Sequence, residues 1–186
     1  MRRSLLFILL ISPFFVLSAQ KIEESKIDAF TGKLVAYTSW TPFFEGEGAS
    51  GQMASEVRFR VEHDREFMQI KIVTGDVELT AREGAKIEFK VKTDKNEDAI
   101  LTFANLREQT SGRGKGLQGG RSPQLGLTLQ VSSEDFIDFL DSRVEKVRYH
   151  FTDGYYDIEV PVKHQRVFRN NYELLVKEIL KHEEKQ

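Results

Sequence analysis

The chain has 186 residues, with 27 Lys and Arg against 29 Asp and Glu, a formal net charge of −2 and no cysteine. The missing cysteine excludes disulfides, a thiolate metal site and a cysteine nucleophile. The slightly acidic balance argues against a general nucleic-acid binder.

Met1-Arg2-Arg3-Ser4 precedes an apolar run from Leu5 to Leu17, and Leu17-Ser18-Ala19 stands ahead of Gln20. A basic start, an apolar centre and a small-residue site predict a secretory signal cut after Ala19. Pro13 interrupts the run, which falls short of the roughly twenty apolar residues a spanning helix needs. No cysteine follows it to carry a lipid anchor. The reading is a signal peptide over 1–19 and a single β-rich domain over 20–186, periplasmic or secreted, with no transmembrane segment after cleavage. Loss of Arg2 and Arg3 leaves 25 of the 27 basic residues against 29 acidic ones, a net charge of about −4.

Lys21–Lys26 is charged and reads as a frayed lead-in to a turn at Asp28-Ala29-Phe30-Thr31-Gly32. Lys33–Trp40 reads as a strand covered partly on both sides and stopped by Pro42. Phe43 and Phe44 follow, and then Glu45–Gln52, with three glycines and few large side chains, reads as a mobile loop.

Val57, Phe59 and Val61, then Met68, Ile70 and Ile72, alternate with polar residues and predict a hairpin. With Asp64-Arg65 as its turn, His63 faces Glu66, Val61 faces Met68, Phe59 faces Ile70 and Val57 faces Ile72. Val77–Leu79 reads as a short strand. Ile87, Phe89 and Val91 form a half-buried strand, Leu101 and Phe103 point inward from the next, and Leu125, Leu127, Leu129 and Val131 mark another.

Between these last two lies Thr110–Gly126, in which six of seventeen residues are glycine. Its bare N–H groups and basic side chains suit an anion, with Arg107, Arg113, Lys115 and Arg121 as ligands. A long flexible connection is the competing reading. Gly114, Gly116 and Gly119 satisfy GxGxxG, but the strand that follows where a helix is required excludes a dinucleotide site.

Ser132 or Ser133 caps a short predicted helix near 133–142 carrying Phe136, Phe139 and Leu140 on one stripe. Val144–Val160 predicts a second hairpin turning at Asp153-Gly154, with Phe151 opposite Tyr156, Tyr149 opposite Ile158 and Val147 opposite Val160. That register pairs His150 with Asp157 and Arg148 with Glu159. Phe168, Tyr172, Leu175, Val176 and Ile179 predict an amphipathic helix near 164–182, with Glu173 and Lys177 as an i, i+4 pair. The fold class is α+β: a mainly antiparallel sheet of about nine strands, a sandwich or partly open barrel, with two helices.

The stretches DAFTGKLVAYTSW (Asp28–Trp40) and VRYHFTDGYYDIEV (Val147–Val160), followed by a terminal helix, resemble those of uncharacterised exported proteins of Bacteroidota-type bacteria. The resemblance spans nearly all of the chain after residue 19. It implies export and brings no catalytic residues.

The four histidines lack HExxH spacing, and nothing in the pattern converges on a metal, so neither a metal nor a cofactor is expected. Ser50 lacks the GxSxG elbow. Trp40, Phe43 and Phe44, or Tyr155 and Tyr156, are the aromatic residues that would make a platform for a sugar or peptide, against the alternative that most fill the core. The function expected is a non-enzymatic binding or envelope-associated module, its partner an unknown protein or envelope ligand and not nucleic acid. The alternative is a hydrolase of glycan or cell-envelope material, using carboxylates from separate strands.

Overall fold

The computed structural model describes residues 20–48, 51–74, 77–113, 123–131 and 142–184. Every strand pairing in it is antiparallel. The larger sheet places β1 (Ile22–Ile27), β2 (Leu34–Thr38), β4 (Gly51–Glu62), β5 (Arg65–Thr74), β11 (Pro123–Val131) and β10 (Gly112–Arg113) side by side. The long β4 pairs along its first half with β3 (Thr41–Gly48) and near its end with β2. The second sheet runs β13 (Gly154–Glu159), β12 (Ser142–Phe151), β7 (Lys86–Thr93), β8 (Asp98–Ala104), and β6 (Thr80–Ala81) pairs β9 (Gln109–Thr110). The sheets do not close into a barrel. One helix, α1 (Val167–Glu183), packs on the result, which is the β-rich α+β class expected.

The alternating apolar residues of both sheets form one core. Val57, Phe59, Met68, Ile70, Leu127 and Leu129 supply one wall, and Ile87, Phe89, Val91, Val147 and Tyr149 the other. The Tyr149 hydroxyl crosses between the sheets to Ser55 Oγ at 3.4 Å. At one end α1 pushes Phe168 between the layers, its ring centroid 4.9 Å from Phe43 and 5.4 Å from Phe89. Tyr172 meets Phe59 edge-on at 5.7 Å. The buried Asn171 donates to the Val167 carbonyl at 3.0 Å and accepts from Thr41 Oγ1 at 3.3 Å, satisfying a polar side chain in the core.

Both hairpin registers differ from expectation by two residues. The first turn is His63-Asp64, with φ of 52° and 63°, and it opposes Glu62 to Arg65, Val61 to Glu66, Phe59 to Met68 and Val57 to Ile70. Two positive φ values make the primed two-residue turn whose twist matches paired strands. The second turn is Thr152-Asp153, with Gly154 (φ 139°) already opposite Phe151, Tyr149 opposite Tyr156 and Val147 opposite Ile158. Because the shift is two residues, the core face is preserved. The polar partners change: Arg148 meets Asp157 through two bonds of 2.6 and 2.7 Å, and His150 instead reaches Glu88 on β7 at 2.9 Å.

Other segments also differ from their sequence reading. Lys21–Lys26 is not frayed, since β1 pairs along β2. Pro42 does not end sheet structure but sits in β3 beside an irregularity in register, where a missing N–H is tolerated. Residues 45–48 and 51–52 belong to paired strands. Val77–Leu79 is not a strand, the short one lying at Thr80–Ala81. Glu173 pairs with Arg169 at 2.8 Å rather than with Lys177. The helix expected near 133–142 lies outside the described residues apart from Ser142, which begins β12.

Candidate functional site

The burial of α1 fades along its length. Val167, Phe168, Asn171, Tyr172 and Leu175 are buried, while Val176 and Ile179 are half-buried and Leu180 is exposed. Burial thus thins over the last two turns, which border a groove facing the tips of two hairpins.

The first tip joins β1 to β2. Asp28 Oδ1 accepts from the Phe30 N–H at 3.0 Å, the Thr31 N–H at 2.8 Å and the Thr31 hydroxyl at 2.9 Å. Asp28 N–H donates to the Lys33 carbonyl and Gly32 N–H to the Asp28 carbonyl, both at 2.8 Å. Gly32 takes φ of 69°, a left-handed conformation that costs glycine nothing sterically. Donation by Thr31 and then Phe30 holds the Asp28 carboxyl below its usual range. With its backbone fixed at both ends, the tip turns Phe30 outward, where it is 98% exposed.

The second tip is His63-Asp64 between β4 and β5. The Lys33 ammonium pairs with the Asp64 carboxylate and ties the two tips together. Behind them Tyr172 donates its phenol to Glu66 Oε2 at 2.6 Å, joining α1 to β5. Burial, reinforced by the Glu66 bond, pushes the Tyr172 phenol up, so it stays a neutral donor. On the other side of the helix Ser25 Oγ donates to Glu178 Oε1 at 2.7 Å.

Two cavities of about 460 and 410 Å³ flank the end of α1, sharing Leu34 and His182. The larger has an apolar floor of Leu34, Val61 and Ile179 under Asp64, Glu66 and Glu183. Ile27, 45% exposed, lines the smaller beside Ser25 and Lys26. An aromatic knob, an apolar floor and a charged rim make an arrangement suited to holding a ligand by contact. Among the described residues no group of three or more His, Asp and Glu side chains is placed to hold a metal.

Of the residues singled out in the sequence, those that are described lie elsewhere. Arg107 is exposed between β8 and β9. When the Gln109 amide is oriented to satisfy both its ends, Arg107 Nε donates to it at 2.8 Å while it donates to the Gly126 carbonyl. Lys115, Arg121 and the Arg113 side chain lie outside the described residues.

Trp40, Phe43 and Phe44 do not form one platform. Phe43 is fully buried against Phe168, and Phe44 packs half-buried against the same core, because the irregularity in register between Pro42 and Phe44 breaks the alternation of β3. Trp40 lies half-buried on the outer face of the larger sheet, stacked by Arg58 at 4.5 Å and Lys71 at 5.0 Å. Tyr155 is 60% exposed with Arg148 over it at 4.3 Å, and Tyr156 turns back against Phe151.

Phe30 was within reach of the sequence. Five residues of the pattern Asp-Ala-Phe-Thr-Gly are too few to fold an aromatic back under the strands they connect. The groove was not, because it depends on where the end of α1 lies. No family model matches the chain, and comparison with curated proteins and with solved structures returns no match.

Proposed function

We propose that the chain is an exported, non-enzymatic binding module that engages its ligand through the end formed by the Asp28–Gly32 turn, the His63-Asp64 turn and the last turns of α1. Phe30 carries this reading. Burying a Phe side chain returns about 1.5–3 kcal/mol, which folding of this chain leaves uncollected. The Asp28 bonds already hold the backbone of the turn that carries the ring, so little backbone entropy remains to be lost on binding. Aromatic residues presented in this way anchor interfaces. The signal-like residues Met1–Ala19 support export.

A displayed random-peptide library panned in parallel on the native chain and on Phe30→Asp tests the reading. The native chain should enrich sequences that the variant fails to retain. Equal enrichment by both, or none by either, sinks it.

A further inference from the structure

We infer that the groove beside Phe30 takes a protein segment carrying a basic side chain next to an apolar one, an inference that rests on the binding reading above. The floor of Leu34, Val61 and Ile179 calls for an apolar group. The rim decides the charge. Lys33 is taken by Asp64, so this pair adds little net field. Glu66 accepts from the Tyr172 phenol, a neutral donor, and that bond offsets none of its charge. Glu183 adds a second carboxylate at the C-terminal end of α1, where the helix dipole is itself negative. Lys181 and His182 oppose part of this field, with Lys181 held by Glu178 at 3.5 Å.

An arginine or lysine fits such a groove, its methylene stem on the apolar floor and its head on Glu66. The volume of about 460 Å³ lies within the roughly 300–1,000 Å³ of ligand clefts. The same charges disfavour the other occupants. Glu66 and Glu183 repel an anionic bilayer, and the nearby Lys26 and Lys33 are bound to Glu24 and Asp64. A second copy in a two-fold contact would set the acidic rim against itself.

The peptides recovered by panning decide the matter, measured against the native chain, Phe30→Asp and the double variant Glu66→Gln with Glu183→Gln. Glutamine keeps an acceptor for Tyr172, and a thermal melt of the double variant checks that it folds. Basic residues beside apolar ones should dominate the recovered sequences, and the double variant should bind them about tenfold more weakly. Peptides that need Phe30 but lack basic residues, or that bind the double variant as well as the native chain, overturn this inference while the binding reading stands. Indifference to Phe30→Asp overturns the binding reading itself. A Phe30-dependent dimer in sedimentation, or Phe30-dependent capture on phosphatidylglycerol vesicles, also overturns the peptide assignment.

Discussion

The same substitution at two positions separates the residue that holds the fold together from the residue that folding does not use. Phe168 is 1% exposed, with Phe43 of the larger sheet on one side and Phe89 of the smaller on the other. Removing its ring opens a cavity where both layers and α1 meet, and relaxation is limited because all three elements are held by their own ladders. Phe168→Ala should cost about 3–5 kcal/mol, the range for large aromatic truncations in cores. Each kcal/mol moves the midpoint by roughly 2–4 °C in a domain of this size, so Tm should fall by about 6–20 °C. Phe30→Ala deletes the same atoms from a ring that is 98% exposed and should stay within about 0.5 kcal/mol of the native chain. Reversible thermal and urea melts of the two variants, followed by circular dichroism, give both numbers. A Phe30→Ala loss above about 1 kcal/mol would show that Phe30 is a structural residue, and the case for a binding tip would collapse.

Three further outcomes follow from the geometry. Tyr149 and Tyr172 are both pushed up from 10.0, by burial first in each case, so the stability they contribute is complete below that value and lost as pH rises through their higher folded values. Phenolate absorbance should therefore show two of the five tyrosines ionising only with alkaline unfolding, and five titrating reversibly with the fold intact would refute this. Asp28→Ala should leave the melt nearly unchanged yet strip hydrogen-exchange protection from the Phe30 and Thr31 amides. In the native chain that protection should persist above the ordinary carboxyl value of 3.8 and vanish only as pH falls through the depressed one. His63→Val, forcing a β-branched residue to φ of 52°, should cost about 1–2 kcal/mol while His63→Asn costs almost nothing. Equal tolerance of the two would return the turn to Asp64-Arg65.

Period-two alternation at Val57, Phe59 and Val61, and again at Leu125 to Val131, identifies the strands and the face each buries. The spacing of Phe168, Tyr172 and Leu175 likewise identifies α1 and its inward stripe. Register was less legible, because a shift of two residues satisfies the same faces, and turn chemistry alone must decide it. His63-Asp64 carries no glycine to announce its positive φ values, and the glycine of Asp153-Gly154 lies in the strand instead. Pairing between distant segments was legible least. The exposure of Phe30 was implicit in a short turn, but the groove beside it needs Leu34, Val61 and Ile179 from three elements. The irregularity between Pro42 and Phe44 also brings both Phe43 and Phe44 against the core, which the run of aromatic residues concealed.

The central claim is that one end of this molecule is its binding surface, and the most direct measurement is the map of backbone amide shifts when a panned peptide is titrated into the labelled native chain. Shifts confined to the Asp28–Leu34 turn, the Val61–Glu66 turn and the end of α1 from Glu178 onward are the result expected. Shifts centred instead on Trp40 and Arg58, or along the outer face around Arg148 and Tyr155, would place the binding surface elsewhere and contradict it.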